Sequence, residues 1–349
     1  MCNISGVATK IVAGVVPSGN IVKQESTRNG TLSVPEKRRN GTDRENAANS
    51  ERKTSILSWT MSLVWPLMST LPLVLTSTTP LHYSKIFPTE WYTYEKDSPK
   101  PLGLILGITA VVVGHLFLVP LFYFYRNGSL GVTPLSVQSK GARQYDFMEG
   151  LKTHLTQPEG FVLLGGYLSF TWMYNLMPES YYSFEHNIQW SRVFLCLVIQ
   201  DTLQYIMHRL EHVVSPEVYK KSHKPHHTFT NPRLFDAFNG SVPDTVLMIL
   251  IPLFLTAHIV RDCNVWTYMS FGSMYANWLV LIHSEYVMPW DSLFHKIGFG
   301  TSGDHHVHHK VFKYNFGHLF MWSDQIAGTY RSPKSFAPKL FRATSQVSS

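Results

Sequence analysis

The sequence predicts an all-α, multi-spanning membrane protein: four to six apolar helices carrying a histidine-rich metal cap on the cytosolic side. Three observations predict it. Six apolar runs recur along the chain, at about 56–75, 102–125, 161–177, 190–207, 246–260 and 265–282. Charged residues make up 15% of the 349, where soluble domains carry about 25%. Thirteen of the 17 histidines fall in the window from His208 to His318, all but His258 beside those runs rather than inside them.

The elements follow in order. Residues 1–54 hold 14 of the 53 charged side chains and none of the 47 aromatics. Such a stretch cannot bury enough apolar surface to offset its ordering entropy and reads as a disordered cytosolic tail. Its one apolar patch, at Ile11 to Val16, is too short for a secretory core, so no cleaved signal is expected. Residues 55–125 read as the first membrane helices. The run at 102–125 has the length a bilayer demands. Residues 126–337 carry the remaining runs and the histidines and read as a catalytic domain, with 338–349 a short tail. The third run is short and contains Gly165–Gly166, which suits a re-entrant or tilted helix.

Net charge is +7, but no helix carries a basic stripe, so a membrane surface explains the balance better than nucleic acid. Lysine and arginine concentrate in the N-tail, after the second run (Arg126, Lys140, Arg143, Lys152), after the fourth (Arg209, Lys220, Lys221, Lys224, Arg233) and in the C-tail. The loop 178–189 has none. If the later runs pair as hairpins, every basic segment and both termini lie on the cytosolic side. Sequons at Asn3, Asn29, Asn40, Asn127 and Asn239 then face the cytosol and stay unglycosylated. Three scattered cysteines, Cys2, Cys196 and Cys263, exclude a disulfide framework.

The histidines form three clusters. His208 and His212 make H-x-x-x-H, a spacing common by chance. His223, His226 and His227 make H-x-x-H-H, and His305, His308 and His309 make it again; two copies are not expected by chance. On a helix, residues i, i+3 and i+4 share one face, and imidazole suits Fe, Zn, Cu and Ni. Two apolar runs between His227 and His305 take the chain out and back, so all three clusters meet at one rim. Asp201 and Tyr205 continue the stripe of His208 and His212 up the fourth run, which predicts that Asp201 holds an outer ring N–H of a ligand. His82, His154, His186, His258 and His295 read as ordinary polar residues. His115, inside a span, stands apart from the clusters.

These residues resemble the fatty acid hydroxylase / sterol desaturase superfamily over about 161–333. The resemblance rests on D-x6-HR-x2-H (Asp201, His208, Arg209, His212), HKPHH-x-F-x-x-P from His223, HSEYVMPW from His283, and HHVHHKVFKYNFGHLFMWSDQIAGTYRSP from His305. It implies a multi-pass endoplasmic-reticulum protein with two non-haem iron ions, activating O2 with electrons from NAD(P)H through an external donor, cytochrome b5 and its reductase. It implies His208, His212, His223, His226, His227, His305, His308 and His309 as ligands, with His283 a further candidate. Asp201, Tyr205, Asp304 and His306 are expected around them. Val213 and Asp304 stand where many sterol-type members carry histidine. The tail N-F-G-H and GTYRSP resembles sterol C-5 desaturases, and HSEY-x-x-P resembles sterol C-4 methyl oxidases and 25-hydroxylases.

The expected reaction is hydroxylation or desaturation of a membrane lipid, a sterol ahead of a fatty acid or sphingolipid. Two rivals compete. His208-Arg-Leu-Glu211-His212 matches the H-x-x-E-H metalloprotease pattern with Glu211 as general base, yet leaves both H-x-x-H-H clusters idle. A membrane metal transporter or metal-binding protein suits histidine-rich loops, but transporters place ionisable groups in mid-membrane. Zinc also fills all-histidine sites.

Overall fold

The computed structural model describes residues 60–336, apart from 62, 78–82, 96–99, 132, 139–144 and 158–159. The expected N-tail and C-tail, and the sequons at Asn3, Asn29 and Asn40, lie outside the described residues. Those that are described belong to one compact unit, Glu45–Ser349.

All six apolar runs fall on helices among the described residues. They are α1 (Leu63–Ser77), α2 (Pro101–Arg126), α4 (Phe161–Met173), α5 (Trp190–Val213), α7 (Val242–Ile259) and α8 (Val265–Leu281). Shorter helices join them: α3 (Phe147–Thr156), α6 (Pro216–Lys221), α9 (Asp291–Ile297), α10 (Ser302–Val311) and α11 (Trp322–Ile326). The strands β1 (Leu135–Ser136) and β2 (Tyr286–Val287) pair antiparallel, Leu135 opposite Val287. The helical class expected from the sequence therefore holds. Among the described residues two helices, α2 and α7, are long and apolar enough to cross a membrane.

Helix α2 shows why the setting is a membrane. Pro101 starts it where a missing N–H costs nothing. One side buries Leu102, Leu106, Ala110, Leu118 and Phe122, while Ile105, Ile108, Val112 and Leu116 point outward. A helix apolar on all sides belongs in lipid or in a large core, and this one is open to the outside. Its inner side packs on α8. The approach is close because Gly107 faces Met269: a Cβ there would collide with Met269 Sδ.

Helix α8 is the centre of the bundle, packed on α2 and α5 and buried along nearly its whole length. The side chain of Asn264 caps it, accepting from the Thr267 N–H at 2.9 Å. Helix α7 widens into a π stretch at Val246–Leu250, immediately before Pro252. That proline has no N–H to give the carbonyl four residues back, and a π turn relieves the mismatch. Cys196 and Cys263 are free and buried, with sulfurs 3.8 Å apart.

The C-terminal quarter folds over the end of the bundle. Thr301 and Asp304 form a reciprocal cap at the start of α10, with the Asp304 carboxylate accepting from the Thr301 N–H at 3.0 Å. Phe312 ends it in the left-handed region at φ 59°. The chain then runs past Asn315, whose amide donates to the Asp304 and Arg331 carbonyls. These bonds pin α10 and its histidines above the ends of α5 and α8.

Candidate metal centre

Four elements deliver the histidines. His208 and His212 occupy the last turns of α5 and share a face at i, i+4. His223, His226 and His227 lie in the tight turn after α6, where the N–H groups of His226 and His227 both donate to the His223 carbonyl, at 3.1 and 3.3 Å. His283 follows the end of α8. His305, His308 and His309 lie on α10. The turn at 226–228 is 3-10 rather than α-helical, so the expectation that both H-x-x-H-H boxes present a helical face holds for α10 alone.

The nine side chains converge in two groups. The first is His208, His212, His223, His227 and His308; the second is His226, His283, His305 and His309. In each group the nitrogens lie within 4.8 Å of one another. The division cuts across the sequence clusters. Within each H-x-x-H-H box, the residues at i and i+4 stay together while the one at i+3 crosses to the other group. His223 and His227 thus meet His308, and His305 and His309 meet His226. The groups adjoin, with the His227 and His309 ring centroids 4.9 Å apart.

The inner nitrogens point at each other. Nε2–Nε2 distances are 2.9 Å for His208 and His223, 3.1 Å for His308 and His227, and 3.2 Å for His227 and His212. In the second group they are 3.0 Å for His305 and His283, 3.0 Å for His309 and His305, and 3.4 Å for His283 and His226. Five of the nine outer nitrogens are committed elsewhere, while the Nδ1 atoms of His227, His305 and His309 have no protein partner among the described residues. His208, His226, His283 and His308 give Nδ1–H to the carbonyls of Phe316, Asn239, Leu279 and Tyr314, at 2.7, 3.2, 2.7 and 2.8 Å. His223 gives its own to Asp244 at 2.8 Å.

The protonation states follow from burial. Burial, then the neighbouring imidazoles, pushes His283, His305, His308 and His309 well below the usual histidine range. The same causes bring His226 down to about 4. These rings are neutral at pH 7, the form that binds metal. His226 and His283 then face each other through two lone pairs, because each outer N–H already serves a carbonyl. Two lone pairs at 3.4 Å repel unless a cation lies between them. Two nitrogens each about 2.1 Å from one ion stand about 3.0–3.4 Å apart, which is the spacing observed. The residues fit a metal ion in each group, and the donors are imidazole throughout.

The surrounding residues depart from expectation. Asp201 does not hold a histidine ring. Its carboxylate accepts the backbone N–H groups of His318, Leu319 and Phe320, at 3.1, 2.6 and 3.1 Å. Seven residues of helix separate it from His208, about 10 Å of rise, so it meets the backbone just beyond Phe316 rather than a ring. Tyr205 bonds Thr329 and Arg209, each at 3.1 Å, and again no ring. Asp304 caps α10. His306 gives Nδ1 to the Ser302 carbonyl at 2.8 Å and belongs to neither group.

Glu211 also stands differently from the protease pattern. Its carboxylate is 3.9 Å from Nδ1 of His223, the outer nitrogen, so it backs a ring rather than facing a reacting centre. Burial, with Asp244 beside it, lifts its carboxyl to about 8. That geometry argues against the H-x-x-E-H hydrolase.

Asp244 and His318 escaped the sequence reading. Asp244 begins the next helix, with no spacing that ties it to His223. His318 is buried with its ring centroid 5.3 Å from that of His208 and 5.0 Å from that of His305, between the two groups. The signal available was N-F-G-H itself. Because the Asp244 carboxylate fixes the tautomer of His223, Asp244→Asn is expected to weaken metal binding about 10- to 100-fold. Metal titration of the stripped protein, followed by calorimetry, measures it. Unchanged affinity would show that His223 is oriented without Asp244.

Comparison with known proteins adds a family. Residues 193–329 match the fatty acid hydroxylase family. The alternative squalene epoxidase of Phaeodactylum tricornutum is 63% identical over 293 residues, covering 83% of this chain and 84% of that protein. A Delta(7)-sterol 5(6)-desaturase of Aspergillus fumigatus is 29% identical over 160 residues, 40% of this chain and 48% of that one. Methylsterol monooxygenase 1 of Rattus norvegicus is 30% identical over 178 residues, 48% of this chain and 56% of that one. No solved structure matches.

Proposed function

The chain belongs to the fatty acid hydroxylase / sterol desaturase superfamily, nearer its sterol desaturase/hydroxylase branch, and from that premise we propose that it is a di-iron, O2-dependent epoxidase acting on squalene. It is a membrane-bound oxidoreductase of lipids. The finer reading rests on one observation above the others: 63% identity to a protein named as a squalene epoxidase, along five-sixths of both chains. The sterol desaturase and methylsterol monooxygenase relatives match only about half their own lengths. The C–H oxidation of a sterol expected from the sequence thus gives way to addition across a carbon–carbon double bond.

The stoichiometry is that of a monooxygenase. One atom of O2 adds across the double bond, and the other leaves as water with two electrons and two protons. Bound in the two histidine groups, iron would activate O2. The protein holds the imidazoles neutral, fixes their tautomers through the carbonyls of Phe316, Asn239, Leu279 and Tyr314, and brings a carbon-lined cavity to the site. Electrons come from NAD(P)H through an external carrier of the cytochrome b5 type. We place the protein in the endoplasmic reticulum with four to six spans, its termini and histidines on the cytosolic side.

Membranes carrying the wild type beside a His226→Ala/His308→Ala variant, given deuterated squalene under 18O2, test this reading. Oxidosqualene with one 18O is expected from the wild type alone. Untouched squalene together with a newly hydroxylated or desaturated sterol would sink the epoxidase and restore sterol C–H oxidation.

A further inference from the structure

Two cavities share part of their lining, and the smaller one reaches the histidines. The larger, about 160 Å³, lies among α2, α4 and α8, and Ile108, Val111, Leu164, Leu168, Met269 and Ala276 line it with carbon. The smaller, about 40 Å³, is lined by His223, His226, His283 and His318. Phe238 and Leu279 line both.

We propose that Phe238 and Leu279 are a specificity gate, dividing a hydrocarbon chamber from the histidine chamber and admitting the end of an acyclic, head-group-free chain in preference to fused rings. The proposal rests on the epoxidase reading and extends it to how the substrate is chosen. The chamber offers a head group only the His115 Nε2 and the Tyr167 hydroxyl; Tyr275, Ser273 and the His115 Nδ1 bond the protein. Tyr275 donates to Gln204, Ser273 donates to the Ser69 carbonyl at 2.5 Å, and His115 Nδ1 is held by the Val111 carbonyl at 3.2 Å. Recognition there is by shape and apolar contact.

The gate is tied to its surroundings on both sides. The Phe238 ring stacks on His154 with centroids 5.6 Å apart and planes at 19°, and the Phe161 edge meets it at 6.1 Å. Leu279 stands one turn before His283 and its carbonyl holds His283 Nδ1 at 2.7 Å. The helix that positions a histidine of the second group therefore also positions half of the gate. A gate of these two side chains passes a flexible chain end, whereas a rigid four-ring body needs both displaced at once.

The wall offers a way to test this without touching the histidines. Gly165 and Gly272 line the chamber, and a Cβ at either would meet nothing within 4 Å. Gly165→Leu and Gly272→Leu are expected to fill the chamber and raise the KM for squalene about tenfold, with kcat held within about twofold. Leu279→Ala keeps the carbonyl that holds His283 and is expected to raise lanosterol oxidation relative to squalene about tenfold.

A diazirine-bearing squalene analogue, photolysed on full-length protein in nanodiscs, supplies a readout independent of turnover. Labelled peptides are expected within 161–168 and 268–279, with labelling lost in both glycine variants. Labelling elsewhere, or undiminished labelling in glycine variants whose circular dichroism matches the wild type, overturns the chamber. An unchanged substrate ratio in folded Leu279→Ala overturns the gate. If squalene labels the chamber but is not oxidised, the epoxidase reading falls while the chamber stands.

Discussion

His308→Ala is expected to remove about one equivalent of bound metal and to lower lipid oxidation about a thousandfold or more, the rate equivalent of about 4 kcal/mol. His308 belongs to the first group, its Nε2 lying 3.1 Å from that of His227. Its neighbour His309 belongs to the second, 3.0 Å from His305. Alanine at either position should therefore empty a different site, although the two are consecutive in the chain. His306→Ala is the matched control: that ring is equally buried, bonds the Ser302 carbonyl and lies outside both groups. It should keep its metal and pay only in stability, about 1–3 kcal/mol. Plasma mass spectrometry of the three purified variants, beside product analysis, decides. Equal metal loss in His306→Ala would break the division of α10 into ligand and non-ligand faces.

That division shows how far the sequence could be read. Apolar runs and helices coincide because a helix that faces lipid or a large core is apolar along its length. All nine candidate histidines converge, because the spacing on α5 and α10 fixes their faces and the paired runs return them to one rim. The sorting into two groups was not legible. Helical periodicity puts i, i+3 and i+4 on one broad face, yet i+3 is rotated far enough from i and i+4 to serve a second centre, and in the 3-10 turn His226 and His227 diverge outright. The outer partners were equally hidden. Phe316, Asn239, Leu279 and Tyr314 contribute carbonyls, which every residue has, so no residue type could announce them.

Asp201→Ala is expected to destabilise the protein by about 4 kcal/mol or more, since each buried N–H left without an acceptor costs about 1–3 kcal/mol. Three would be stranded, those of His318, Leu319 and Phe320. Asp201 is buried in α5, where water cannot take over. The stripe of Asp201, Tyr205, His208 and His212 suggested a hand on a ligand; the carboxylate instead anchors the backbone beyond Gly317. The consequence still reaches the metal centre, because the same stretch supplies the Phe316 carbonyl that holds His208 Nδ1 at 2.7 Å. Asp324 secures its other side, accepting from the N–H groups of Phe316 and Gly317 at 3.0 and 2.7 Å. Two carboxylates thus fix five consecutive N–H groups, and losing one should leave the turn attached but loose. Asp201→Asn should fall between wild type and alanine. Its oxygen can keep the two bonds now made by Oδ1, while its NH2 confronts the Phe320 N–H. Thermal unfolding in detergent, expected to drop about 10 °C for alanine, measures the anchor. Metal content of the folded fraction measures the coupling to His208. A stable Asp201→Ala protein that has lost its metal would return Asp201 to the role the stripe suggested.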